Sequence, residues 1–111
     1  LVKLLLKEGA DIGARDRLGR SVLHWTAEKG HLSTAKFLIR NGAPVHHPDN
    51  DGQTPLHEAA KWDQQKITRL FIFHGADVNA KGADGRSPLH IAIANGNMDI
   101  ANLLKRHGAK L

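Results

Sequence analysis

The sequence contains no cysteine. Disulfides, thiolate metal sites and cysteine nucleophiles are thereby excluded, and the fold must rest on an apolar core. A small domain without cysteine suits the reducing cytosol or nucleus, so an intracellular location is expected. No apolar run approaches the roughly 20 residues a membrane helix needs, and direct membrane insertion is not expected. The opening Leu1-Val2-Lys3-Leu4-Leu5-Leu6-Lys7 is too short and too soon charged for a secretory signal. Catalytic signatures are missing too. There is no Gly-x-x-x-x-Gly-Lys-Ser/Thr phosphate loop and no Gly-x-Ser-x-Gly elbow. Neither enzyme activity nor a cofactor is expected.

What is present is ordinary in bulk and unusual in order. The 111 residues are 41% hydrophobic and 24% charged, as in a single small globular domain. The net charge of +5, with eight histidines neutral, permits an acidic partner or nucleic acid, or simply solvates helix surfaces. The order is a period of 33. Gly19, Gly52 and Gly85 stand 33 apart, and Gly9, Gly42, Gly75 and Gly108 form a second series at the same spacing. Leu23-His24, Leu56-His57 and Leu89-His90 keep this register, and Ala10, Ala43, Ala76 and Ala109 follow the second glycines.

One period can be read physically. Thr54 is a good helix N-cap, because its hydroxyl can accept from a first-turn N–H. Pro55 follows at the first helical position, where a missing N–H costs nothing. Leu56, Ala59 and Ala60 then make an apolar stripe at helical spacing, with alanines small enough to admit a neighbouring helix. A second helix is predicted over 65–74, stopped by Gly75. The turn-rich Ala76-Asp77-Val78-Asn79-Ala80 leads to the next glycine. A unit of helix, turn, helix and extended loop cannot bury its own apolar face, so units must stack.

Gly52-Gln53-Thr54-Pro55-Leu56-His57-Glu58-Ala59-Ala60 and Gly75-Ala76-Asp77-Val78-Asn79-Ala80 resemble the ankyrin repeat, and Gly85-Arg86-Ser87-Pro88-Leu89-His90 and Gly9-Ala10-Asp11-Ile12 repeat the two motifs. The resemblance covers the whole chain. It implies an all-α ankyrin-repeat solenoid of helix-turn-helix units with β-hairpin fingers. The array divides into a second helix and finger of a truncated repeat over 1–16, repeats over 17–49 and 50–82, and a last repeat over 83–111. Leu1 to Glu8 match only the second helix of a unit, which leads us to expect residues before Leu1. In the last unit Lys105 takes the slot of Leu6, Ile39 and Ile72, the mark of a cap facing water.

The resemblance also implies the function of a protein–protein interaction module that binds through its finger tips and the concave face of its first helices. The partner-facing residues are then Arg17, Leu18, Arg20, Glu28 and Lys29 in the first complete unit. In the second they are Asn50, Asp51, Gln53, Lys61 and Trp62, and in the third Ala83, Asp84, Arg86, Ala94 and Asn95. Five cations stand against three carboxylates in this set, so the expected partner is another protein with an acidic rim, met by a module monomeric in itself. A structural spacer within a larger channel, enzyme or receptor is the alternative. A nucleic-acid-associated module is a lesser one, because acidic residues interrupt the basic ones.

Positions that break the period are where function is sought. Trp62 ends the first helix of the central unit, where the others carry Lys29 and Asn95. It is either a binding hot spot or a cover folded back over the Asp63 turn. Trp25 takes the slot of Glu58 and Ile91 and is expected to pack against a helix. Asp63 replaces the inter-helix glycine of Gly30 and Gly96, and aspartate tolerates the left-handed conformation such a turn demands. Phe73 stands where Lys7, Arg40 and Arg106 stand elsewhere.

The histidines offer no catalytic or metal set. His24, His57 and His90 belong to the repeated motif and, by resemblance, hydrogen-bond within and between units. His46 and His47 are adjacent, their side chains diverge, and a third ligand is lacking. His74 and His107 precede closing glycines, where a helix C-terminus favours a cation. Ser21 and Ser87 occupy the cap position of Thr54. The stretch holding Asn79 resembles one modified by asparaginyl hydroxylases in other ankyrin proteins, so Asn79 is a candidate hydroxylation site; a turn asparagine bonded to backbone is the plainer reading.

Overall fold

Ser21, Thr54 and Ser87 set the start of the first helix in each unit. Each has an extended backbone and stands at the N-cap. The histidine three residues on reaches back to the cap N–H, through Nδ1 at 3.0, 2.9 and 3.1 Å. This is the reciprocal geometry of a capping box with histidine in place of the usual Glu or Gln. The computed structural model describes residues 16–110. The helix and finger expected within 1–16 lie outside the described residues, apart from Asp16.

Among the described residues six helices form three pairs: α1 (Val22–Lys29), α2 (Leu32–Arg40), α3 (Pro55–Lys61), α4 (Gln65–Phe73), α5 (Pro88–Ala94) and α6 (Met98–Arg106). The first helices α1, α3 and α5 pack side by side as an inner row, and α2, α4 and α6 as an outer row. The result is the expected all-α repeat solenoid. Alanines make the close approach possible: Ala27, Ala59, Ala60, Ala92 and Ala101 are fully buried between helices. Leu23, Leu38, Leu56, Phe71, Leu89, Ile100 and Leu104 fill the space between the rows. Ile39 and Ile72 lie half-buried against this core, whereas Lys105 in the same slot is exposed.

The inter-helix turn survives the loss of its glycine. Asp63 adopts φ 57°, close to the 76° of Gly30 and 72° of Gly96.

The fingers differ from the expected β-hairpins. Among the described residues they contain no strand, only an isolated bridge residue at Ser21. Each finger is a hydrogen-bonded turn closed by one cross-chain bond: Asp16 N–H to Arg20 O, Asp49 N–H to Gln53 O, Gly82 N–H to Arg86 O. The reason is local. Asp16 Oδ1 accepts the N–H groups of Leu18 and Arg20, and Asp49 Oδ1 those of Asp51 and Gln53. Carboxylates thus take donors that a ladder would use. Adjacent turns are joined main chain to main chain, Asn50 N–H to Leu18 O and Ala83 N–H to Asp51 O, each 2.8 Å.

Candidate functional site: a groove between fingers and inner helices

The turns and the inner helices together enclose a groove of about 350 Å³. Nine of the residues expected to face a partner line it: Leu18, Arg20, Glu28, Asp51, Gln53, Lys61, Asp84, Arg86 and Asn95. Ala83 lines a second recess at the finger tips with Asp51, Gln53 and Asp84. Arg17, Lys29, Asn50 and Trp62 lie outside the groove lining, all exposed, as is Ala94 at the end of α5. Asn50 has a structural task, since its Nδ2 donates to Arg17 O at 3.0 Å across neighbouring fingers.

The groove adds Asp49, His57, Glu58 and Ile91 to the sequence-derived set. These additions change its electrostatics. Among the described residues that line it, Arg20, Lys61 and Arg86 oppose Glu28, Asp49, Asp51, Glu58 and Asp84. The excess within the lining is acidic, whereas the wider partner-facing set read from the sequence carries a positive one. Arg17 and Lys29 supplied the positive excess in the sequence count, and both are outside the lining.

Glu58 organises the centre. Its Oε2 lies 3.7 Å from Arg20 Nη2 and accepts the indole N–H of Trp62 at 3.0 Å. Arg20 Nη1 lies 3.9 Å from Glu28 Oε1. The guanidinium thus spans two units by ion pairs longer than hydrogen bonds. Trp62 folds back one helical turn onto Glu58, with Lys61 Nζ 5.3 Å from its ring, and remains 46% exposed. Trp25, expected against a helix, instead has its ring 5.3 Å from that of His31 in the turn of its own unit and is 41% exposed.

Beneath the groove lies a repeated staple. His24 Nε2 meets Gln53 O at 2.6 Å, and His57 Nε2 meets Arg86 O at 3.0 Å. With Nδ1 accepting the cap N–H, the proton resides on Nε2, so each ring is neutral and donates to the next unit's finger. Burial holds both histidines below the usual histidine range, against the opposing pull of those carbonyls and of nearby carboxylates. Asn79 is bonded in a similar way further on. Its Nδ2 donates to Gly108 O and its Oδ1 accepts Lys110 N–H.

Family models for ankyrin repeats match the chain twice, a three-copy model over residues 1–82 and a single repeat over 84–111. The chain belongs to the ankyrin-repeat family. Comparison with curated proteins gives no match. Ankyrin repeats are generally protein–protein interaction modules, and the staple between units accounts for His24 and His57. The side chains of His46 and His47 do not diverge as expected but meet edge to face at 6.0 Å, and no three His, Asp or Glu side chains converge among the described residues. Nor, among those residues, is any helix long and apolar enough to cross a membrane.

Proposed function

We propose that the chain is a recognition module whose groove, between the finger turns and the inner helices, receives a segment of another protein bearing cationic side chains. The observation that carries this reading is the lining itself, five carboxylates against three cations in a groove open to solvent. Asp51 and Asp84 stand exposed at neighbouring finger tips, placed to meet a basic side chain as the partner arrives. Charge complementarity of this kind speeds encounter and makes association salt-sensitive. Trp62 flanks the groove and supplies apolar area next to its acidic centre, the role of a hot-spot aromatic.

The test is an affinity pull-down with the 111-residue chain as bait, beside the double variant Asp51→Lys/Asp84→Lys, with quantitative mass spectrometry of what is retained. Partners held by the parent and lost by the variant support the reading. Identical retention by both baits excludes the groove, and retention of nothing by either favours a spacer within a larger protein.

Asn79 remains a proposed target of asparaginyl hydroxylases. Because its amide is bonded on both sides to the last unit, modification requires that clamp to open. Mass spectrometry of the Asn79 peptide from cell-derived protein tests it, and an unoxidised peptide throughout argues against it.

A further inference from the structure

Phe73 is 83% exposed, at the end of α4, on the outer row rather than the groove side. The same slot holds Arg40 in α2 and Arg106 in α6, so the scaffold has no need of an aromatic there. Its ring meets the edge of His74 at 5.3 Å and forms one wall of a recess of about 430 Å³ between α2 and α4. Leu32 and Leu70 supply the other apolar walls, and Lys36, Lys66 and Arg69 complete the lining. Among the described residues of this recess every ionisable one is a cation.

The imbalance extends along the whole described outer row. Lys36, Arg40, Lys66, Arg69, Lys105 and Arg106 are exposed there, against the single carboxylate of Asp99. The groove on the opposite side carries an acidic excess. Charge is thus segregated between the two faces, and the apolar recess lies on the basic one.

We propose that the recess between α2 and α4 is a second docking surface, and that its occupant is an acidic amphipathic segment of another protein. An apolar side chain of that segment enters between Leu32, Leu70 and Phe73, and flanking Asp or Glu residues meet Lys36, Lys66 and Arg69. This is the pairing of apolar anchor and charged rim by which a helix occupies a groove. Two other polyanions fit less well. A bilayer presents a surface too broad to enter a recess walled by side chains. A single-stranded nucleic acid needs a row of stacking aromatics, whereas aliphatic leucines wall this site beside one phenylalanine. The surface is separate from the groove of the preceding section, so either assignment can fail without the other.

The test pans a random 12-residue phage-displayed peptide library against the 111-residue chain and against Phe73→Arg. Arginine already occupies the slot in two units, so this variant keeps the fold, which circular dichroism verifies. Expected are peptides that pair Leu, Ile or Phe with Asp or Glu. Their synthetic versions should bind the parent at least ten-fold more tightly than Phe73→Arg, and more tightly than Lys66→Glu/Arg69→Glu. Four results would each overturn the proposal: no enrichment over the variant, enriched peptides without acidic residues, peptides that bind Phe73→Arg equally well, or tighter Phe73-dependent binding of phosphatidylserine vesicles or a 20-nucleotide single strand.

Discussion

The Nε2 nitrogen of His24 lies 2.6 Å from the main-chain oxygen of Gln53, 29 residues further along the chain. His57 repeats this bond with Arg86 at 3.0 Å. Each ring therefore closes its own helix cap and holds the following finger with one planar group.

Replacing such a ring strands polar groups on both sides. His57→Ala leaves the Thr54 N–H and the Arg86 carbonyl without their partner, at about 1–3 kcal/mol for each group that stays dry. The expected loss is about 2–4 kcal/mol, read as a lower urea midpoint. His90→Ala, at a half-buried ring, should cost distinctly less. Equal losses for the two variants would contradict the staple.

Stability should fall on mild acidification. Unfolded histidine protonates near pH 6.5, whereas burial holds His24 and His57 lower in the folded state. Below about pH 6.5 the unfolded chain therefore binds protons that the folded chain does not. Each histidine contributes a loss of up to about 1.4 kcal/mol per pH unit, ending once pH passes its folded value. Urea titrations at pH 7.5, 6.5 and 5.5 measure the slope, and His57→Gln should reduce it. A flat profile over this range would refute the argument.

Two glycines of the same series should respond differently to alanine. Both adopt positive φ, 73° at Gly52 and 79° at Gly85. A Cβ at Gly52 would stand 2.8 Å from Ala83 N and 3.1 Å from Gly82 C, both backbone atoms, while at Gly85 it meets nothing within 4 Å. Gly85→Ala should cost about 1–2 kcal/mol, the left-handed penalty alone. Gly52→Ala should cost more, because the next finger must move. Thermal denaturation of the pair gives the comparison.

Asp63 holds φ 57° without being glycine. Asp63→Asn should be nearly neutral, since asparagine tolerates this region equally. Asp63→Val should lower stability by about 2 kcal/mol, because a β-branched side chain does not. Similar midpoints for the two would show that the turn relaxes.

Trp62 is half-exposed and its indole bond to Glu58 lies at the surface. Trp62→Ala should change stability by less than about 1 kcal/mol while weakening groove binding by about 2 kcal/mol or more. A large fall in melting temperature with binding intact would assign the residue to the scaffold instead.

The repeat register made the fold legible, since Thr54-Pro55 and the buried leucines obey the same local rules in each unit. The Asp63 turn was legible too, because left-handed tolerance is a property of the residue itself. The finger geometry was not, for it turns on Asp16, Asp49 and, in the third unit, Asp84 taking main-chain N–H groups a few residues ahead. The sign of the groove was hidden for a related reason. Asp49 precedes the finger-tip residues and reads as a turn carboxylate, and Glu58 sits where a neighbouring unit carries Trp25; packing brings both to one lining. The recess beside Phe73 shows the converse. The departure from Arg40 and Arg106 is plain in the sequence, but its apolar walls come from two helices over 30 residues apart.

The staples take hold of main-chain oxygens, at residues 53 and 86, and are indifferent to the side chains there. Gln53 and Arg86 are also groove residues. The contact surface can therefore diverge by mutation without loosening the joint beneath it, and a combinatorial library at positions 53 and 86 should preserve both inter-unit bonds in every member that keeps the backbone path. Evolvability at these two sites follows from which atom the histidine chose.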